Sequence, residues 1–353
     1  MKRLLTKRPL TKRPLTMALL LLAGCMPDES RTPLVVYSPH GRELLEAFES
    51  RFEAAHPDVD VQWLDMGSQE ILDRLRSERA NPQADVWFGA PSSMFAQAAA
   101  DSLLATYRPA WADAIPPDAV GVGDTWFGIY LTPEVIAYNT AALDSADAPQ
   151  DWDDVLDPRW DDRVLIRDPI ASGTMRAIFG MILQRSLRET GSLDAGFDWL
   201  RRLDAQTREY TLNPTLLYQK LARQEGIITL WDLPDIEMLR ADSDMPIDYI
   251  LPPSGTPVVV DAIAIVRGAR QPRLARAFVD FVGDQEALGI AAREHFRLPA
   301  RADFPADSLP ERLRSARARI RPEPMDWDQL QTSGNEWMRR WDEEVRGRGD
   351  RNR

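Results

Sequence analysis

Two short loops carry the residue types from which an anion site is built. Residues 167–179 read RDPIASGTMRAIF, with an apolar strand end at 164–166, a turn at Asp168-Pro169, and Ser172-Gly173-Thr174 just ahead of an apolar-periodic helix. A helix N-terminus leaves backbone N–H groups free and carries the positive end of the helix dipole, so these three residues either hold an anion or cap the helix. Both readings require the same geometry. A similar loop, Ser38-Pro39-His40-Gly41, leaves another apolar strand (34–37) far earlier in the chain. Its recurrence favours a ligand role for Ser38, His40, Gly41, Ser172, Gly173 and Thr174 over two unrelated caps.

Trp231-Asp232 is the second candidate, because it stands where the apolar run 227–230 ends. An indole face packs on a sugar ring, and a carboxylate accepts hydrogen bonds from sugar hydroxyls or an ammonium group. Packing in the core is the competing role for Trp231. Asp235 reads as an N-terminal helix charge and Ser92-Ser93 as a cap.

Catalytic chemistry has little to build on. The chain holds three histidines, His40, His56 and His295, and none of the patterns HExxH, GxSxG or GxxxxGK[ST]. Ser38 and His40 stand two apart in one loop and point different ways, so they do not make a nucleophile–base pair. One cysteine, Cys25, rules out an intrachain disulfide and a cysteine-based zinc site. Neither a metal ligand set nor a cofactor is expected, and the protein reads as a non-enzyme.

Cys25 has another use. The first 24 residues carry six basic side chains and no acid, followed by the apolar run 17–23 and Leu22-Ala23-Gly24-Cys25. That run is short for a bilayer span and has the order of a secretory signal. Its end resembles the lipobox of bacterial lipoproteins, which implies lipidation of Cys25 and a membrane-tethered mature chain in the periplasm or at the cell surface. The repeated LTKRP lies inside this segment and says nothing about the fold. Loss of residues 1–24 takes the formal charge from −12 to −18. Nucleic acid is therefore an unsuitable partner, and an anionic ligand has to be held by local donors against the field of the molecule.

The elements that would position these loops follow from the hydrophobic periodicity. At 353 residues, 44% hydrophobic and 28% charged, the chain suits two globular α/β domains. Strands at 34–37, 59–64 and 84–88 alternate with helices, which predicts a largely parallel sheet whose ligand loops lie beyond the strand carboxyl ends. Residues 125–139 form two apolar runs broken at Thr132-Pro133 and read as extended segments crossing between domains. A turn-rich stretch at 152–160, the strand 164–166, helices to about 189, around 197–203 and at 215–223, and the strand 227–230 make up the second domain. After the proline-rich PPSGTP, the strand 258–266 returns to the first domain, followed by helices and an aromatic-bearing C-terminal helix.

With these segments in place, the chain resembles the bacterial extracellular solute-binding proteins of ABC importers, in the branch of ferric-iron, 2-aminoethylphosphonate and hexose-phosphate receptors. The segments VVYSPHG, RLRSERANPQADVWFG, DPIASGTMRAIF and ARAFVDFV carry the likeness. The resemblance implies a periplasmic-binding-protein-like fold of type II, two α/β lobes with a hinge and an interlobe cleft. On it, residues 1–24 are signal, 25–32 tether, 33–130 the first lobe, 131–256 the second, 257–345 the return and C-terminal helices, and 346–353 a mobile tail. It also implies a monomeric receptor that captures a small anionic phosphorylated or phosphonate solute and delivers it to a membrane permease. Ferric receptors of this branch use adjacent tyrosines. No two of the seven tyrosines here are adjacent, so ferric iron stands as the alternative ligand. A structural lipoprotein on the same fold is a further alternative.

Overall fold

The computed structural model describes residues 31–241 and 245–348. Cys25, the signal segment and the last five residues of the tail lie outside them.

The first segment runs β1 (Thr32–Ser38), α1 (Arg42–Ala55), β2 (Val59–Asp65), α2 (Ser68–Ser77), β3 (Val86–Pro91) and α3 (Ser92–Ala100), then short 3-10 turns to the long strand β4 (Phe127–Asn139). The second runs β5 (Val164–Arg167), α4 (Gly173–Thr190), α5 (Asp194–Gln206), β6 (Thr207–Thr211), α6 (Pro214–Ala222), β7 (Ile228–Asp232), α7 (Leu233–Ala241) and β8 (Ile247–Ile250). The chain returns through β9 (Val258–Ile265), α8 (Pro272–Val282), α9 (Gln285–His295), β10 (Leu298–Pro299), α10 (Glu311–Arg319) and α11 (Trp327–Glu344).

The strands form one path, β2-β1-β3-β9-β4-β7-β5-β6, with β8 and β10 paired to β4. β1 is parallel to β2 and β3, and β5 is parallel to β6 and β7. Each lobe therefore winds outward from a central strand to both sides, and the carboxyl ends of β1 and β5 are topological switch points, where crevices form. His40 follows the first of these ends and Ser172 the second.

The break expected at Thr132-Pro133 is a single 13-residue strand instead. Residues 127–133 pair with β9, and residues 134–139 pair with β7 and β8. Pro133 sits where β4 changes partners, a place at which a missing N–H costs least. The sheet is parallel in its flanks and antiparallel through β4 and β9, because those two strands cross between the lobes.

Burial explains the helix faces. In α1 the buried side chains are Leu44, Leu45, Phe48 and Phe52, one stripe at helical spacing. Phe52 and Phe278 of α8 meet edge to face at 5.1 Å. α11 lies across α3 and α4 and so touches a helix of each lobe.

Candidate functional site

A cavity of about 410 Å³ opens between the two switch points, within the range of roughly 300–1,000 Å³ common for small-molecule sites. Its first wall comes from the loops after β1, β2 and β3, its second from those after β5, β6 and β7, and its floor from Thr132, Asp261 and Arg297.

One half of the cavity is rich in donors. α2 begins at Gly67 with no side-chain cap, so its first amides keep their hydrogens free. α4 begins at Ser172, whose Oγ accepts from the Met175 amide at 3.3 Å. That leaves the Gly173 and Thr174 amides at the first turn. α6 begins at Asn213, whose Oδ1 accepts from the Leu216 amide at 2.8 Å. All three helix starts line the cavity, and so does Arg167 at the end of β5. The Arg167 guanidinium is buried and donates from Nη1 to the Thr211 carbonyl at 3.2 Å. Among the described residues no carboxylate lies within ion-pair distance of it, and burial lowers its pKa. Arg42 is exposed and bonded to Glu46, and Arg176 is bonded to Ile170 and Asn335. Of the three arginines near the loops, Arg167 is the one that faces the cleft.

The other half is acidic. Asp232, Asp235 and Asp261 gather around Arg297, with Asp65 at the margin. Arg297 Nη2 donates to Asp235 Oδ1 at 2.9 Å, an ion pair joining the return segment to α7. Tyr218 Oη donates to Asp235 Oδ2 at 2.5 Å, and Trp231 Nε1 reaches Tyr218 Oη at 2.9 Å and Asp235 Oδ2 at 3.2 Å. Asp232 Oδ1 accepts from the Asp235 amide at 3.0 Å, capping α7, and Asp261 Oδ2 accepts from Thr132 Oγ1 at 2.5 Å. Burial first, then the neighbouring carboxylates, pushes the Asp232 carboxyl well above the usual range. Asp261 is pushed up to about 6 by burial, against the opposing pull of Thr132 and Arg297.

His40 lines the first wall but is only 8% exposed, set edge-on between Phe88 and Tyr130. Burial, then the charge of Arg297, lowers its pKa well below the ordinary histidine value, so it presents a neutral imidazole. Its ring fills the space beside Gly89, where a Cβ would lie 2.4 Å from Nε2. Gly89 also has φ +89°, so both space and backbone require glycine there.

Of the residues singled out in the sequence, the fold brings His40, Ser172, Gly173, Thr174, Trp231 and Asp232 to one cavity. Ser38 is fully buried behind it, where its Oγ accepts from the His40 amide at 3.2 Å. Gly41 caps α1 at φ +77° outside the lining. The Trp231 indole is nearly buried, with Nε1 directed to Tyr218 and Asp235. Sequence reasoning passed over Asn213, Asp261 and Arg297 as site residues. Asn213-Pro214 after a short strand is a helix-start signal, and Asp261 is a lone acid in an apolar run. Arg297 carries no such mark.

Comparison with known proteins finds relatives for the chain and for its fold. The chain is 28% identical over 330 residues, 93% of its length and 90% of the other, to a probable ABC transporter periplasmic-binding protein, y4fP, of Sinorhizobium fredii. It is 26% identical over 290 residues, 80% of this chain and 82% of the other, to a putative 2-aminoethylphosphonate-binding periplasmic protein of Salmonella typhimurium. Its fold matches the periplasmic binding protein AfuA of Actinobacillus pleuropneumoniae, solved with fructose-6-phosphate bound. That match has a TM-score of 0.77 and 24% identity, over 89% of this chain and 99% of the other. The pattern of one family covers residues 81–332, and the chain belongs to that family, the bacterial extracellular solute-binding proteins.

Proposed function

We propose that the protein is the receptor of an ABC importer that captures a small solute through a phosphate or phosphonate group. The carrying observation is that Arg167 and the starts of α2, α4 and α6 converge on one cavity. Three helix N-termini that border one cavity repel one another and a buried guanidinium until an anion stands between them. Hydrogen bonds to a charged group contribute about 1.5–3 kcal/mol each, so four or five support micromolar binding after the cost of association. The acidic field of the molecule is largely screened beyond about 8 Å at physiological ionic strength. The names of the relatives support this chemistry, since one is called phosphonate-binding and a structure of the same fold holds a sugar phosphate.

In this reading the lobes, residues 33–130 with 257–345 and residues 131–256, close over the solute and present it to a membrane permease. The receptor acts as a monomer, is tethered by lipid on Cys25, and performs no catalysis. Metabolic labelling with a fatty acid, compared between the wild type and Cys25→Ala, tests the tether.

The ligand is tested by calorimetry with inorganic phosphate, alkylphosphonates, a hexose phosphate and ferric citrate. Micromolar or tighter binding of at least one phosphorus compound, weakened about tenfold or more by Arg167→Gln, is the expected result. A visible absorption band with ferric iron, and no heat from any phosphorus compound, would replace this reading with the ferric one.

A further inference from the structure

Asp168 follows Arg167 at the end of β5 and opens the turn that leads into α4. Its amide donates to the Thr211 carbonyl at 3.0 Å, the same oxygen that takes Arg167 Nη1 at 3.2 Å. Its Oδ1 accepts from the Ile170 amide at 2.8 Å, and its carbonyl accepts from the Ala171 amide at 3.3 Å and the Ser172 amide at 3.1 Å. A side-chain oxygen bonded two residues on folds the chain into a turn. Asp168 thus decides where Ser172 caps α4 and where Gly173 and Thr174 enter the cavity lining, although it is not part of that lining itself.

The other carboxylate oxygen of Asp168 is held from a point 178 residues later, where Arg346 Nη2 donates to Oδ2 at 2.9 Å. Arg346 lies just beyond α11 and is itself seated. Its amide donates to the Trp341 carbonyl at 3.1 Å, and its guanidinium stands over the Trp341 ring at 4.6 Å and the Tyr210 ring at 5.5 Å. Trp341 is fully buried and meets Phe179 of α4 and Tyr210 of β6 edge to face, and the next amide, Gly347, donates to Asp204 Oδ1 at 2.9 Å. Asp168 therefore pairs with Arg346 and leaves Arg167, its neighbour in sequence, to the cavity.

We propose that Arg346 is a positioning residue for the anion site: through Asp168 it fixes the turn that presents Ser172, Gly173 and Thr174, and it cancels a negative charge at the edge of a site that has to hold an anion. The assignment rests on the anion reading of the Arg167 half. Without Arg346 the Asp168 carboxylate keeps its bond to the Ile170 amide and loses its countercharge. Two effects then weaken an anion together, a looser turn ahead of α4 and an unopposed carboxylate beside Arg167. The end of the C-terminal helix thereby acts on solute affinity without touching the solute.

Hydrogen exchange on the full chain without solute reads the turn directly. In Arg346→Gln the Ile170, Ala171 and Ser172 amides exchange about tenfold or more faster than in the wild type while those of β9 keep their protection, and Arg346→Lys recovers part of the difference. Calorimetry with inorganic phosphate reads the consequence. Arg346→Gln weakens binding by about three- to thirtyfold, and in an Asp168→Asn background the same substitution changes affinity by about twofold or less. Asparagine keeps an acceptor for the Ile170 amide and lacks the charge that Arg346 meets. Equal losses in both backgrounds would mean that only the arginine stem on Trp341 matters, and would overturn the proposal. Unchanged phosphate affinity in Arg346→Gln, with Arg167→Gln still weakened, also overturns it and leaves the anion reading standing. Should Arg346→Gln fail to fold, Arg346→Lys carries the same cycle with a smaller loss. A wild type that binds no phosphorus compound overturns the anion reading and this assignment with it.

Discussion

Gly173, in the first turn of α4, stands so close to Pro91 across the cleft that a Cβ built on it would lie 2.7 Å from the proline ring and 3.3 Å from Ser68 Oγ. The second lobe thus rests on the first through a residue with no side chain. Proline is rigid, so the contact cannot yield by a rotamer change. Overpacking of this kind costs about 1–3 kcal/mol in a core. Here the molecule can escape it by opening, so the cost falls on closure. Gly173→Ala is expected to weaken solute binding by about five- to a hundredfold with little change in melting temperature. Calorimetry reads the affinity, and small-angle scattering of the solute-loaded protein shows a larger radius of gyration. Unchanged affinity would mean that the seam is soft.

Arg167 and Ser38 separate cleft chemistry from support behind it. Loss of the guanidinium in Arg167→Gln removes charge-assisted hydrogen bonds of about 1.5–3 kcal/mol, and the affinity for inorganic phosphate drops by about ten- to a hundredfold. Ser38→Ala removes only the bond that Ser38 Oγ accepts from the His40 amide. It is expected to cost about 1 kcal/mol of stability and to leave phosphate affinity within about twofold. A large binding loss in Ser38→Ala would put that hydroxyl in the cleft.

The strand–loop–helix order made half of the site legible from the chain. Small residues after an apolar run and before a periodic helix are local signals, and they led to Ser172, Gly173, Thr174 and His40. The crossing was legible in place but not in form, because Pro133 looks like a break until its neighbours are known to change there. Asp261 and Arg297 were hidden for a different reason. Each arrives from the return segment, more than 200 residues after the loop at Ser38-Gly41, and their roles exist only through Asp235 and Thr132. Trp231 was visible as a cleft residue. That its indole nitrogen is directed to Tyr218 and Asp235 could be seen only in three dimensions.

Glu134 provides a pH dependence of known sign. It is fully buried on β4, opposite Asp232 in register, and neither carboxylate oxygen has a hydrogen-bond partner. Burial first, then the charges of Asp232, Asp261 and Asp235, raises its pKa well above 4.5. A carboxyl whose folded pKa is raised contributes stability that is complete below the unfolded pKa and is lost as pH rises through the folded one, by about 1.4 kcal/mol per pH unit. Asp261, raised to about 6, acts in the same direction between roughly pH 4 and 6. The protein should therefore lose stability from these groups as pH rises above the ordinary carboxylate range. Glu134→Gln, neutral throughout, is expected to melt higher than the wild type at pH 8 and alike at pH 4. Parallel melting curves across that range would show that water reaches the carboxyl.

Arg297 is the cation on which the acidic half depends. It is 4% exposed and bonded to Asp235, with Asp232 and Asp261 acting on it electrostatically. Removing one partner of a buried ion pair costs about 3–5 kcal/mol, because the other is left buried and charged. Arg297→Met is expected to lower stability by that amount at pH 7.5. The loss should shrink at pH 5, where Asp261, raised to about 6, takes up a proton and no longer needs the guanidinium. Arg297→Lys keeps the charge but not the fork, and restores part of the stability while leaving the pH dependence close to that of the wild type. Denaturant titrations at the two pH values distinguish this from simple packing of the arginine stem, which would give the same loss at both.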